Sequence, residues 1–368
     1  MGSSASFHLA TKGLKVLTLE RFGLNHKHGS SHGGTRIIRQ AYAEDPRYVP
    51  LVRSAFVSWA ELEKESGRAL MKLTGGLMIG VDDGGLVGDT ERSAREHSLP
   101  LKIMSGREVN SEFPAFKLAE DRTAAFEETA GVLFPEECMS AFVEEATKAG
   151  CEFRFGEVVS GWSGGVQGLH VRTARDTYAV DELVVCAGPW TGELLGGLIP
   201  LECERQVPLW FDPHGSTRFS PGEMPIFVSE EKDRRMFYGI PEFGNGVKVA
   251  VHHGGKIVQP DSVDRIVTEG DIAPVRDFVA GSLPGLGPEP MASTTCLYTN
   301  TPDSNFVVDF HPEDRRVVVL SACSGHGFKF APVIGDIAAD LLLEGKTRHD
   351  ISFLSAGRFS RPRSDGPA

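Results

Sequence analysis

Between Pro46 and Arg68 the apolar residues Leu51, Ala55, Trp59 and Leu62 return near helical spacing, so this stretch predicts an amphipathic helix. Ahead of it, "MGSSASFHLATKGLKVLTLER" reads as a short helix with Phe7, Leu9 and Ala10 as its apolar face. Ser3 and Ser4 are its candidate N-caps, and Gly13 is its left-handed stop. A buried strand, Leu14 to Leu19, follows and closes on Glu20 and Arg21. "TGGLMIGVDDGG" predicts a strand running into a glycine-rich turn, and "DTERSAREHSLPLKIMSGREVNSEFP" a helix, a strand and a second short helix. "GVLFPEECMSAFVEEATKAGCEFRFG" reads as a strand, a helix from about Pro135 to Ala149, and another strand. In "TYAVDELVVCAGPWTGELL" a strand ends at Cys186 before a tight turn and a helix. From about 205 to 290 β-formers, Pro and Gly dominate, with "RMFYGIPEFGNGVKVAVHH" as a hairpin. "RRVVVLSACSGHGFKFAPVIGDIAADLLLEG" gives a buried strand, a glycine turn and a closing helix. Alternating helix and strand broken by a β-rich block predicts an α/β fold in which a nucleotide-binding domain is interrupted by a second, mainly sheet (α+β) domain.

Composition narrows the classes. With 368 residues, 40% of them hydrophobic, the chain is long enough for two domains. A net charge of −12 gives no electrostatic footprint for nucleic acid. The six cysteines, Cys138, Cys151, Cys186, Cys203, Cys296 and Cys323, form no CxxC pair, so neither a zinc site nor a disulfide framework is indicated. No apolar run approaches the ~20 residues of a membrane span, and the start lacks the regions of a signal peptide. The tail "SRPRSDGPA" is not a peroxisomal signal. The expectation is a soluble cytoplasmic protein with no membrane and no nucleic-acid partner.

Several residues could carry chemistry. A helix, a strand and then an acid form the second half of a dinucleotide-binding unit, with Glu20 in the place of the acid on a ribose hydroxyl. One more αβ pair of an ordinary α/β protein fits the same pattern. In "GSSHGGTRIIRQAY", a helix from Thr35 would stack Thr35 and Arg39 at i, i+4, with His32 and Arg36 just upstream. Two fixed guanidiniums suit a carboxylate or phosphate, and a solvated basic helix edge is the plain alternative. In "GVKVAVHH", strand alternation places Val247, Val249 and Val251 on one face, and Lys248, Ala250 and His252 on the other, a pattern that ordinarily means a solvent face. In "CSGHGFKFAPVIGD", Gly325 and Gly327 lie between a strand and a helix near Pro332, with His326 and Lys329 inside the turn, a place for a small anion or a cofactor. Cys323 there reads as a small buried residue. Cys296, in "TTCLYTNTPDSNFVVDFHP", has no companion at ligand spacing and reads as a buried thiol; no metal site is expected.

In their order and spacing, "GSSHGGTRIIRQAY", "GVLFPEECMSAF", "CAGPWTGELL", "FYGIP", "GVKVAVHHGG", "CLYTNTPD" and "SGHGFKFAPVIGDIAADLL" resemble the monomeric sarcosine oxidase family, which includes L-pipecolate and N-methyltryptophan oxidases. The likeness runs from the first residue to about residue 355. It implies a two-domain fold of the D-amino-acid oxidase type and FAD attached through a cysteine thioether at the flavin 8α carbon, with Cys296 in the matching place. It further implies that Lys248 acts beside flavin N5 in the reaction with oxygen, and that Arg39 and Lys329 bind the substrate carboxylate. His32, Arg36, Tyr238 and His252 match residues lining the site. Glu20 corresponds to the acid on the adenosine ribose, and Val158 to the residue whose backbone meets the adenine. Thr35, Gly325 and Gly327 belong with the cofactor-binding segments.

The family likeness predicts a discontinuous FAD-binding domain of residues 1–75, 126–204 and 297–368, and a substrate domain of 76–125 and 205–296. It predicts oxidation of a secondary amino acid, sarcosine first, to an imine and hydrogen peroxide by a monomer acting on a small amino acid and oxygen. L-pipecolate or another N-alkyl amino acid is the alternative. Against the family pattern the chain begins inside the glycine-rich turn, with Gly2 as its third glycine or as part of a leader. The expectation is an upstream strand outside these residues, and a shortened, weakly FAD-binding remnant is the alternative.

Overall fold

The computed structural model describes residues 1–81, 84–165, 168–321 and 324–359. The chain divides into two compact units, one of Met1–His26, Phe142–Glu202 and Thr299–Ala368, the other of Lys27–Ala141 and Cys203–Tyr298. Residues 27–75 and 126–141, placed by sequence with the nucleotide-binding part, cluster with the second unit. A small sheet ties them there: Arg36–Ile38 and Met71–Leu73 both pair with Gly131–Leu133.

In the first unit the helix Gly2–Thr11 leads through Gly13, at φ +87°, to the strand Leu17–Glu20. That strand runs parallel to Glu152–Phe155, with Leu17 opposite Glu152. A second parallel pair, Leu183–Val185 with Val317–Val319, belongs to a separate three-stranded sheet that Val307–His311 completes. Val159–Gly165, Gly168–Thr173 and Thr177–Val180 form a separate antiparallel sheet. The closing helix Ala331–Glu344 ends on Gly345 in the left-handed conformation, where the absence of a Cβ removes the usual penalty.

The N-cap expectation is overturned. The cap is Met1, without a side-chain hydrogen bond, while Ser4 lies within the helix, buried, its hydroxyl donating to Ala331 O at 2.7 Å. Small residues explain the change: Gly335 faces Ser4 so closely that a Cβ there would collide with it, and at that approach a hydroxyl bonds the facing helix instead of its own first turn.

The second unit is built on an eight-stranded sheet. Its order is Pro290–Ser293, Leu209–Phe211, Val247–His252, Met236–Ile240, Ile226–Glu230, Gly76–Gly80, Thr123–Glu127, Lys102–Ser105. The predicted hairpin is present, with Tyr238 opposite Ala250 and Ile240 opposite Lys248. Leu77, Phe227, Phe237, Val247 and Val249 form its main core with Val275 and Val279 of the helix Glu269–Ser282. The helices Tyr48–Ser66, Gly85–Glu96, Gly106–Glu112 and Pro135–Lys148 stand where the pattern predicts them.

Two expectations fail here. No helix starts at Thr35: Arg36–Ile38 is a strand, because β-branched Ile37 and Ile38 pair with Val132 and Gly131, and Thr35 and Arg39 do not stack. The Lys248 face does not meet solvent. Residues 247–250 are buried on both faces, because the strand lies inside the sheet and a loop covers its polar side. Cys323 and the tail from residue 360 lie outside the described residues. Among the described residues no helix is long and apolar enough to cross a membrane.

Candidate active site

The covering loop is Gly29–Thr35. It turns through Gly33 and Gly34, at φ +96° and +79°, a conformation that side chains resist. Glu136 Oε1 accepts both of their N–H groups, at 2.8 and 3.2 Å, and so fixes the turn. From the strand beneath, Lys248 Nζ donates to Gly33 O at 2.9 Å, Thr35 O at 3.0 Å and Thr35 Oγ1 at 3.4 Å. Lys248 is 2% exposed. Desolvation first, and the Arg36 charge second, hold its amine well below the ordinary lysine range.

Arg36 folds back over the same loop. Its guanidinium donates to Thr35 O at 2.7 Å, Ser30 O at 2.6 Å and His32 O at 2.7 Å, and Nη2 lies 3.6 Å from Cys296 Sγ. Cys296, 6% exposed, opens the strand Cys296–Asn300, its sulfur 3.7 Å from Ser30 O. His32 is buried in this loop. The Ser30 hydroxyl is buried without a protein partner. Among the described residues neither Lys248 nor Arg36 is ion-paired with a carboxylate; both are held by neutral oxygens. A low-dielectric site that presents the Arg36 charge and the Lys248 N–H donors stabilises an anion or an electron-rich ring.

Aromatic and imidazole groups complete this side. His252, at the end of the Lys248 strand, places Nδ1 3.2 Å from Tyr298 OH, and Tyr238 meets its ring edge-to-face. Burial pushes the Tyr238 hydroxyl up to about 12 and the Tyr298 hydroxyl well above the ordinary tyrosine range, so both remain O–H groups at neutral pH.

Arg39 is buried nearby in sequence but otherwise engaged. Its Nη2 donates to Glu44 at 2.6 and 2.8 Å, Nη1 donates to Ala41 O at 2.6 Å, and the guanidinium lies over the Tyr42 ring. Burial opposes the Arg39 charge, but Glu44, Tyr42 and Glu127 together outweigh it and hold the guanidinium above its ordinary range. Glu127 holds the adjoining backbone by accepting from Gln40 N and Ala41 N.

The remaining candidates lie in the first unit. Glu20 ends its strand, where Oε1 accepts Phe22 N at 2.7 Å, and its carbonyl accepts Glu157 N at 2.9 Å. Glu20 and the exposed Val158 are thereby brought to one strand end. Gly2 opens the first helix, where a Cβ would sit 3.6 Å from Cys186. Gly325, at φ +76°, and Gly327 shape the turn before the closing helix. Lys329 is buried there and donates to His326 O at 2.8 Å.

Sequence reasoning missed Glu44, Glu136, Trp210 and Tyr298. Tyr298 was within reach, since it lies two positions beyond Cys296 on one strand and so on the same face. Trp210, 5.4 Å from Lys248 Nζ, and the two acids gave no sequence signal, because only the fold brings them to Lys248, Gly33 and Arg39.

Residues 1–341 match the family model described as DAO, FAD dependent oxidoreductase. A monomeric sarcosine oxidase of Streptomyces avermitilis is 39% identical over 366 residues, 98% of this chain and 95% of that protein. An N-methyl-L-tryptophan oxidase of Yersinia pestis is 34% identical, covering 98% of this chain and 96% of that protein. Among solved structures, NikD, an amino acid oxidase of nikkomycin biosynthesis, superposes with a TM-score of 0.85 at 23% identity, covering 96% of this chain and 94% of its own. Glycine oxidase from Geobacillus kaustophilus does so at 0.80 and 19%, covering 98% and 96%.

Proposed function

The chain belongs to the FAD-dependent oxidoreductase family, among relatives that oxidise N-methyl amino acids, and from that premise we propose that it oxidises sarcosine, with FAD joined to Cys296. The observation that carries this reading is the Lys248, Arg36 and Cys296 cluster: a half-buried guanidinium and a desolvated lysine amine, both donating to backbone oxygens, beside a buried thiol. FAD fits this donor set. Its electron-rich reduced ring would use the Arg36 charge and the Lys248 N–H donors, and the buried Ser30 hydroxyl offers a further polar contact. Glu20 is the proposed ribose ligand, Val158 the backbone beside adenine, and Gly2, Gly325 and Gly327 the close-approach positions.

Bound FAD supplies two-electron oxidation of a C–H next to nitrogen and returns the electrons to oxygen. The amine loses two electrons and two protons as its C–N bond becomes C=N, and water cleaves the imine to glycine and formaldehyde. Oxygen gains the two electrons and two protons as hydrogen peroxide. Within the second unit, Arg39 exchanges Glu44 for the substrate carboxylate, a like-for-like replacement of one anion by another. Lys329 carries the same carboxylate-binding assignment on the family resemblance. His252, hydrogen-bonded to Tyr298, sits where an amine proton can be taken, and Tyr238 shields it from water. Lys248 supplies N–H donors, and a proton when its amine is charged, for the step with oxygen, with Thr35 holding the amine in place. Protein of one chain, acting on a small amino acid and oxygen, is sufficient for this reaction.

A second reading, oxidation of a larger N-alkyl amino acid such as N-methyltryptophan or L-pipecolate, is favoured by the relative at 34% identity that acts on N-methyl-L-tryptophan. The test is an absorbance spectrum before and after acid precipitation, followed by peroxide assays over sarcosine, L-pipecolate and N-methyltryptophan. Flavin bands in the pellet with peroxide from sarcosine support the proposal. Flavin bands with peroxide from another of the three select the second reading, and protein that binds no flavin overturns both.

A further inference from the structure

We infer that Arg265 is a positioning residue for the Cys296 thiol, pinning together the two backbone segments that bracket it. The inference rests on the reading of Cys296 as the flavin attachment site. Cys296 Sγ is surrounded by Gly29 O at 3.9 Å, Ser30 O at 3.7 Å and Arg36 Nη2 at 3.6 Å, so its surroundings come from the loop beginning at Lys27. Arg265 spans that loop and the residue before the cysteine. Its Nη2 donates to His28 O at 2.9 Å, and Nη1 donates to Lys27 O at 3.2 Å and to Thr295 O at 3.5 Å. The Thr295 hydroxyl returns a bond to Arg265 O at 3.4 Å.

Among the described residues Arg265 makes no ion pair, so its fork of donors is spent on carbonyls of two chain segments 267 positions apart (295 − 28). These contacts stop one residue short of the thiol on each side. Arg265 therefore fixes where Ser30 O and Arg36 stand relative to Cys296 without touching the sulfur. Forming the thioether breaks the S–H bond and one C–H bond at the 8α carbon and makes one C–S bond; oxygen takes up the two electrons and two protons as hydrogen peroxide. Such a step depends on the thiol's position, and a displacement of about 1 Å costs about 10²-fold in rate.

The side chain also lines an open cleft of about 450 Å³ with Lys27, Val267, Ser293, Thr294 and Thr295. A shorter side chain there leaves the buried core intact.

The test compares wild-type, Arg265→Gln and Arg265→Lys proteins loaded with FAD. Acid-stable and acid-released flavin are measured against time, beside total bound flavin and the thermal midpoint. Arg265→Gln should form acid-stable flavin about 10- to 100-fold more slowly at unchanged total flavin, and Arg265→Lys should recover part of the rate. Equal rates in wild-type and Arg265→Gln overturn the inference and leave Cys296 as the attachment site. A loss of total flavin and thermal midpoint in step with the acid-stable fraction also overturns it, since that is a structural role. Wild-type protein that binds flavin but never makes it acid-stable overturns the attachment reading and this inference together. If Arg265→Gln does not accumulate, the Lys variant decides on the same readouts.

Discussion

Arg39 and Glu44 are joined by two charge-assisted hydrogen bonds, 2.6 and 2.8 Å, with Arg39 buried and Glu44 about one-third exposed. The guanidinium thus already holds a carboxylate five residues along the chain, and any substrate carboxylate competes with it. Glu44→Gln should strengthen binding of a small carboxylate such as acetate or sarcosine, by about tenfold, the worth of a hydrogen bond to a charged group. Arg39→Met should weaken it by at least as much. Titration of the flavin spectrum with acetate measures both, and equal affinities in wild-type and Glu44→Gln would show that Arg39 does not receive the substrate carboxylate.

Lys248→Met removes the buried amine that donates to both Gly33 and Thr35. The proposed role puts its effect on the oxygen step. Reoxidation of substrate-reduced enzyme by oxygen should slow about 10²- to 10³-fold, while anaerobic reduction changes much less. Stopped-flow measurement of the two half-reactions separates these effects. A loss confined to the reductive half would move Lys248 to the amine step.

Cys296→Ser keeps a small polar group beside Ser30 and Arg36 but cannot form the thioether. Acid precipitation should leave its pellet colourless and its supernatant yellow, with the wild-type pattern reversed. Noncovalent flavin binding should persist, because Arg36 and Lys248, the proposed flavin contacts of this unit, are unchanged.

In the first unit, His8 Nδ1 lies 3.8 Å from Asp336, yet burial outweighs that carboxylate and lowers the imidazole to about 4 from 6.5. Above pH 6.5 His8 is neutral both folded and unfolded and has no effect. Between about pH 6.5 and 4 the unfolded chain binds a proton that the folded chain refuses, so stability falls as pH falls through this window. At about 1.4 kcal/mol per pH unit the loss reaches about 3 kcal/mol at pH 4. His8→Leu should flatten this part of the curve of unfolding free energy against pH. An unchanged slope would place the titrating group elsewhere.

The alternation of apolar and polar residues determined most of the elements by itself. Helix Tyr48–Ser66, the hairpin Met236–Ile240 with Val247–His252, and the closing helix all follow from spacing and local backbone preference. These depend on neighbours in sequence. The family resemblance named Cys296, Lys248, Arg36 and His252 by residue and order, and within the second unit the structure sets them on three strands, Arg36–Ile38, Val247–His252 and Cys296–Asn300.

Only the tertiary structure decided what meets the polar side of each element. Periodicity says that Lys248 lies opposite the valines, but burial of that face depends on a loop some 215 residues away in sequence. Ser4 had the composition of a cap and became a contact between helices, because Gly335 lets them approach. Ile37 and Ile38 made a strand only because Gly131–Leu133 stood ready to pair. Arg39 gained Glu44, and Gly33 gained Glu136, through contacts that no spacing rule encodes. An ionised or hydrogen-bonding side chain is indifferent to which partner satisfies it, so sequence names the group, and the fold, by bringing distant segments within about 3 Å, chooses the partner.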